Sequence, residues 1–484
     1  MTHYANPHRL KREQLLSFFL CQLLCISFII KSSPYSVSSY LLGEARMVHV
    51  SHNYSLSAPT SPLQHLLITM RLLSLFLASK AAQFVLLSLV PAQFDTSSQI
   101  LLSHHRPEKY ALVSAFPIPF QKAAEFVLSR VVDRLVVWDA VYFSHLFTNG
   151  ITYEHENVFC PLWWRLVSFC SRQLGCHNFY SRFLCATLLS CTAHYAATLV
   201  LGAYTRLVFQ DARLFSPQRM ARAAQVVFVI SPAGIFLTAP YAESAAALCS
   251  FACLYLRESG TLQGVGSLYV ASGIFAALAY GMRANCLLLG GVYLWDVAWP
   301  RTAGVLVGPG LTARRIWALA AGCILGASFV ASNVANYVSV CSLGRGEWCD
   351  QVVPSLFAYA QSHYWNVGFM RYWSANNIPN FMFAIPVVTL SVVSIRYFQY
   401  EYPVDRVSAV SAVNGLFVMM VVLFWHVQIV TRIHTFLPSV YWLMAGFFTQ
   451  KGLTGARWGR WCMAYMVVWC AVQTAMFGAF LPPA

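Results

Sequence analysis

Long apolar runs separated by short charged connections dominate the chain from residue 72 onward. Leu72–Val90 is the first. Others lie near 181–205, 224–239, 243–256, 264–280, 285–299, 316–340, 378–395, 409–430, 433–448 and 461–480. Many approach the ~20 residues that carry a helix across a ~30 Å hydrocarbon core. No water reaches that core, so the backbone must bond to itself and the runs predict helices. The short alternating segments of a membrane barrel are absent. The pattern therefore predicts an all-α polytopic membrane protein with about ten to thirteen helices. Residues 160–174 stay ambiguous, because Arg165 and Arg172 interrupt a run already too short.

Two polar stretches break the apolar pattern, at about 91–160 and 341–377. Within the first, Phe126–Val137 can lie as an amphipathic helix in the membrane interface. The second carries Glu347-Trp348-Cys349-Asp350, then Gln361 to Asn366, then Arg371-Tyr372-Trp373. Residues 1–66 read as an N-terminal extension ahead of a transmembrane domain over 67–484. There Leu15–Ile30 follows His8, Arg9, Lys11 and Arg12, and Asn53-Tyr54-Ser55 fits a glycosylation sequon. That early run is signal-like, an extra span, or sequence upstream of a start at Met47 or Met70.

Composition agrees with the pattern. The 484 residues are 58% hydrophobic and 10% charged, against about 25% charged in a soluble domain. The net charge of +15 gathers in short loops such as Arg206 to Arg222, as cytoplasmic loops of membrane proteins do. No basic face is interleaved with stacking aromatics, which argues against nucleic acid as a partner. The 15 cysteines show no C-x-x-C or zinc-like spacing, and no H-E-x-x-H occurs, so no metal site is expected. Cys341 and Cys349 can pair if their loop faces an oxidising compartment.

In so uncharged a chain, ionisable groups near the membrane are the candidates for chemistry. Asp139 lies in Trp138-Asp139-Ala140-Val141-Tyr142-Phe143. A carboxylate partly removed from water binds a proton more readily, which suits a general base; a solvated acid at a helix end is the plain alternative. Glu154, His155 and Glu156 can support that acid, or simply occupy a helix first turn. Glu243 sits deep in apolar sequence, to be paired there or to start a helix after Pro240. Arg283 beside Asn285, Arg371, and Arg432 beyond His426 can each grip a lipid phosphate or serve as snorkelling anchors. His363, Tyr364, Trp365 and Asn366 can clamp a sugar, although interfacial belts also collect Tyr and Trp. No D-x-D near Asp139, Walker loop or dinucleotide motif is present.

Taken in order, these segments resemble the PIG-V family of mannosyltransferases, which act in glycosylphosphatidylinositol (GPI) anchor assembly. The matching pieces are Trp138 to Phe143, Tyr153-Glu154-His155, Ser231-Pro232-Ala233, Tyr241 to Ser244, Arg283-Ala284-Asn285, Tyr364 to Phe369, Arg371-Tyr372-Trp373, Ile378 to Phe381, His426-Val427-Gln428, Thr431-Arg432, Tyr441-Trp442 and Phe480-Leu481-Pro482. They cover roughly 68–484. One departure is Cys160-Pro161, ahead of Trp163-Trp164, where the family has Phe-Pro.

The resemblance implies a GT-C type helix bundle in the endoplasmic reticulum membrane, with the catalytic acid in a large first lumenal loop. It implies transfer of mannose from dolichyl-phosphate-mannose, α-1,6, to the first mannose of the GPI-precursor glycolipid. The reaction is inverting, without cofactor or metal, and Asp139 is the general base. Arg283, Arg371 or Arg432 would hold the lipid phosphate. Trp138, Glu154, His155, Glu243, Asn285, His363, Tyr364, Trp365, Asn366 and His426 would shape the substrate site. Partners are the two lipid substrates and the bilayer, with a small accessory membrane subunit as a further expectation. The competing readings are a GT-C transferase for another acceptor and a lipid or solute transporter.

Overall fold

The computed structural model describes residues 62–212, 216–299, 311–342, 344, 346–449 and 453–482. The Leu15–Ile30 run and the Asn53 sequon lie outside the described residues. Among the described residues every regular element is helical, and each apolar run supplies a helix. Six are long and apolar enough to cross a membrane: Met70–Leu89, Phe179–Val208, Thr312–Cys341, Ala375–Glu401, Asp405–Leu423 and Arg457–Gly478. The protein is all-α and polytopic. Among the described residues the first helix is Pro62–Leu89, which spans the boundary expected at 66/67. Residues 160–174 resolve into a helix, Pro161–Gln173, that buries Trp163, Val167, Cys170 and Ser171 on one face.

The centre of the bundle is the helix Glu243–Gln263, buried along most of its length. It packs between Phe179–Val208 and Gly266–Met282, and the latter packs on Leu311–Cys341. Close approach there depends on Gly273, where a Cβ would lie 2.6 Å from the Ala321 carbonyl oxygen. Small residues at membrane helix contacts serve this purpose.

Several runs expected as unbroken helices are not. The 224–239 run stops at Val229 and continues as an irregular segment with one 3-10 turn, Gly234–Leu237. Residues 231–242 are buried throughout. Pro232 and Pro240 explain the break, since a proline removes a donor and turns its predecessor away from helix. Irregular backbone at this depth is tolerated where protein, not lipid, surrounds it. Lys80 supplies part of that surrounding. Its Nζ donates to the Leu237 carbonyl at 3.2 Å and to Thr238 Oγ1 at 2.6 Å, and contacts His194 Nδ1 at 2.8 Å. The 409–430 run likewise ends as helix at Leu423.

In the first polar stretch, the helix Ile118–Val127 leads through a wide turn into Asp133–Leu135. Ile118, Phe120, Phe126 and Val127 are exposed, whereas Leu128, Val132, Leu135, Val136 and Val137 are buried. The interfacial surface expected over Phe126–Val137 therefore lies mostly earlier. Asp133 pulls the later part inward, accepting from Lys109 at 2.7 Å and Tyr180 at 2.9 Å.

The far end of the central helix is closed by ions. Arg257 donates from Nε and Nη2 to Asp296 Oδ2 and Oδ1 at 2.8 and 2.7 Å. Arg314 adds a bond to Oδ1 at 2.9 Å, and the Tyr269 hydroxyl one to Oδ2 at 2.5 Å. Arg257 and Asp296 have no exposed surface.

Candidate active site

Four charged side chains meet where four helices are interrupted. Asp139 opens the helix Asp139–Asn149, and Glu243 opens the central helix. Arg283 marks the end of Gly266–Met282, and Arg432 sits in the short turn Val430–Ile433. Both acids thus lie at helix N-termini, where the backbone dipole favours negative charge.

The contacts form a chain of ion pairs. Asp139 Oδ2 accepts from Arg432 Nη2 at 2.8 Å and lies 3.7 Å from Arg283 Nη1. Glu243 Oε1 lies 3.2 Å from Arg283 Nη1 and 3.0 Å from Arg432 Nε. Each arginine therefore bridges both carboxylates. Exposure differs across the group: 1% for Glu243, 8% for Arg432, 16% for Arg283 and 23% for Asp139. Asp139 Oδ1 has no hydrogen-bond partner among the described residues. The site is closed below, at Glu243, and open above, at Asp139.

Its framework is aromatic. The Arg432 guanidinium lies 5.2 Å from the Phe236 ring centre and 5.7 Å from that of Tyr241, a favourable cation–π arrangement. The Tyr241 hydroxyl donates to the Val137 carbonyl at 2.7 Å and accepts from the Ala140 amide at 3.4 Å. It so fixes the backbone on both sides of Asp139. Trp138 adopts φ +53°, a left-handed conformation uncommon outside glycine, and its ring packs on Phe480 at 5.0 Å.

A wall of rings rises from the same helix. Tyr142 packs near His155 (5.6 Å), Phe159 (5.4 Å) and Trp365 (6.4 Å), and His155 near Tyr364 (5.7 Å). Glu154 joins the two polar loops: Oε1 accepts from Trp348 Nε1 at 2.9 Å and Oε2 from the Tyr364 hydroxyl at 3.0 Å. Glu156 instead accepts from the Thr152 and Tyr153 amides at 2.8 and 3.0 Å, with His145 at 2.6 Å. That is the helix-entry role, not support for Asp139. Cys341 and Cys349 form a disulfide within the second loop.

The remaining candidates spread outward. Asn285 Nδ2 reaches the Ile433 carbonyl at 3.5 Å, tying the two arginine-bearing breaks together. His426 stacks on Tyr372 at 4.6 Å, and burial lowers its proton affinity. His363 stacks on Tyr359 at 5.0 Å and is exposed. Asn366 is exposed in a left-handed turn at φ +54°. Arg371 is exposed, and no ion pair joins it to Asp139 or Glu243. Arg283 and Arg432 point inward to carboxylates, so neither is a snorkelling anchor. No group of three His, Cys, Asp or Glu able to hold a metal occurs among the described residues.

The family model described as mannosyltransferase (PIG-V) matches residues 69–410 and 406–484. The chain belongs to the PIG-V family. It is a glycosyltransferase. A GPI mannosyltransferase 2 of Candida albicans is 33% identical, with 86% of this chain and 99% of the relative aligned. One of Yarrowia lipolytica is 34% identical over 85% of this chain and 98% of the relative. Solved structures of the Archaeoglobus fulgidus oligosaccharyltransferase are similar at 11–12% identity. Their TM-scores are 0.39 and 0.42, over 73% and 86% of this chain. The chain spans 49% and 56% of those proteins' length. Within this PIG-V chain, sequence reasoning named all four charged residues. It missed the support given by Tyr241 and Phe236, and the bond of Trp348 to Glu154. Tyr241 stands within a matching segment, so a signal existed; for Phe236, one ring in an apolar run, none did.

Proposed function

We propose that this PIG-V protein transfers mannose from dolichyl-phosphate-mannose, in α-1,6 linkage, to the first mannose of the GPI precursor, with Asp139 as general base. The observation that carries the reading is the asymmetry of Asp139. One carboxylate oxygen is anchored by arginine, the other has no hydrogen-bond partner among the described residues, and the side chain stays 23% exposed.

The reaction balances without a further group. The acceptor's 6-hydroxyl oxygen attacks the anomeric carbon, and its proton passes to Asp139 Oδ1. The bond from that carbon to the phosphate oxygen breaks, and its electron pair leaves with the lipid phosphate. Positive charge close to the leaving oxygen stabilises it as it develops; Arg283 supplies that charge, and Arg432 stays against Asp139. A single displacement inverts the anomeric centre, so one acid suffices where retaining glycosidases need a close pair. Tyr142, His155, Tyr364 and Trp365 offer flat apolar faces to the sugar rings. The wall and Asp139 face the lumen of the endoplasmic reticulum, which the Cys341–Cys349 bond supports, since disulfides persist in oxidising compartments.

The test is complementation of cells lacking this activity. Asp139→Asn should reach the membrane intact, fail to restore surface GPI-anchored proteins and accumulate the one-mannose precursor. Full rescue would refute the assignment of the base. Accumulation of a different lipid intermediate would refute the acceptor.

A further inference from the structure

We propose that the donor's phosphate and Asp139 compete for Arg283, so that Asp139 is freed to act only once the lipid-linked donor is seated. The proposal rests on the reading of Asp139 as base, and it divides the two arginines between two tasks.

Charge balance is the first ground. Arg283 and Arg432 face Asp139 and Glu243, two cations against two anions. The quartet is neutral and holds no spare positive charge for a phosphodiester. A donor phosphate entering this site must therefore draw one arginine away from a carboxylate.

Geometry decides which. Arg432 is held on every side: Asp139 at 2.8 Å, Glu243 at 3.0 Å, and the rings of Phe236 and Tyr241. It cannot turn without losing all four contacts. Arg283 is twice as exposed, and its contact with Asp139 is stretched to 3.7 Å. It sits at a helix end in extended conformation, φ −147° and ψ 129°, next to a 3-10 turn. Arg283 is the group that can swing to an incoming anion while Glu243 stays paired with Arg432.

The consequence concerns timing. A carboxylate with one cation against it takes a proton more readily than one with two. Arrival of the donor thus removes a competing cation from Asp139 at the moment the base is needed. Arg432 remains as a positioning residue that aims Oδ1 at the acceptor, and Glu243 as the counter-charge that keeps Arg432 in place.

The experiment uses the full chain in lipid nanodiscs and measures binding of a short isoprenyl phosphate, with mannosyl transfer assayed in parallel. Asp139→Asn, nearly isosteric, should lose transfer yet bind the isoprenyl phosphate about tenfold more tightly than wild type, the equivalent of about 1.4 kcal/mol. Combining it with Arg283→Gln should abolish the gain, because the cycle isolates the shared arginine. An inactive Asp139→Asn protein that binds no tighter would overturn the competition while leaving the base assignment standing. A gain that survives Arg283→Gln, or that is lost with Arg371→Gln instead, would overturn the choice of arginine. Retained transfer by Asp139→Asn would sink the base reading itself, and this proposal with it.

Discussion

The central helix Glu243–Gln263 carries an ionic cluster at each end, and the two are built from the same residue types to opposite effect. At the Arg257 end, Asp296 is fully buried, and both its oxygens are taken by two arginines and a tyrosine. At the Glu243 end, some 20 Å away by helix rise, Asp139 is 23% exposed and one oxygen is unclaimed. Saturation makes a lock, and a spare acceptor is what the proposed base requires. Burial of charge therefore does not by itself identify a catalytic centre in a membrane bundle. What distinguishes the two is unfilled bonding capacity that faces an opening.

That contrast breaks in measurable ways. The largest effect belongs to Asp139→Asn: transfer should fall by about 10²–10⁴, while the unfolding temperature in detergent stays near that of wild type. Asp296→Asn should do the reverse. It leaves Arg257 and Arg314 facing a neutral amide and should destabilise the fold by about 3–5 kcal/mol, read as earlier thermal unfolding. The surviving folded protein should keep its turnover. If Asp296→Asn lost turnover without loss of stability, the two ends would not be functionally distinct.

Tyr241→Phe probes the frame between them. Removing the hydroxyl takes one of the two donors from the Val137 carbonyl and leaves it the Ala140 amide at 3.0 Å, a cost of about 0.5–1.5 kcal/mol. Because Val137 and Ala140 flank Asp139, turnover should drop more than substrate affinity. The smallest effect is expected from Glu154→Gln. The amide oxygen still accepts from one of Trp348 and Tyr364, the amide nitrogen can only donate to the Tyr364 hydroxyl, and the charge is lost, together about 1 kcal/mol. That should appear as weaker acceptor binding with turnover almost unchanged.

Much of this was legible beforehand because hydropathy reports burial in lipid directly. Each apolar run from residue 72 onward supplied at least one helix, though several broke within. Glu243, Arg283 and Arg432 stood out as charges in apolar sequence. Their convergence did not. Arg432 and Asp139 are 293 positions apart, and no local periodicity encodes such a meeting. The loss of helix over 230–239, ahead of the expected restart at Glu243, was hidden for a related reason. Segments buried in protein on all sides are apolar all round, so hydropathy reads them as spans even where Pro232 and Pro240 argue otherwise. Arg257 and Asp296 passed unnoticed although they lie at the margins of apolar runs, where ionisable side chains call for a named partner.

The packing of Phe480 on Trp138, with the Phe94 amide bonded to the Ala479 carbonyl at 2.8 Å, has a practical side. The strained peptide that presents the proposed base leans on Phe480, far along the chain. Trimming from Ala479 onward, or fusing a reporter tightly behind Leu481, would disturb the chemistry from a distance. Purification handles for this enzyme belong elsewhere.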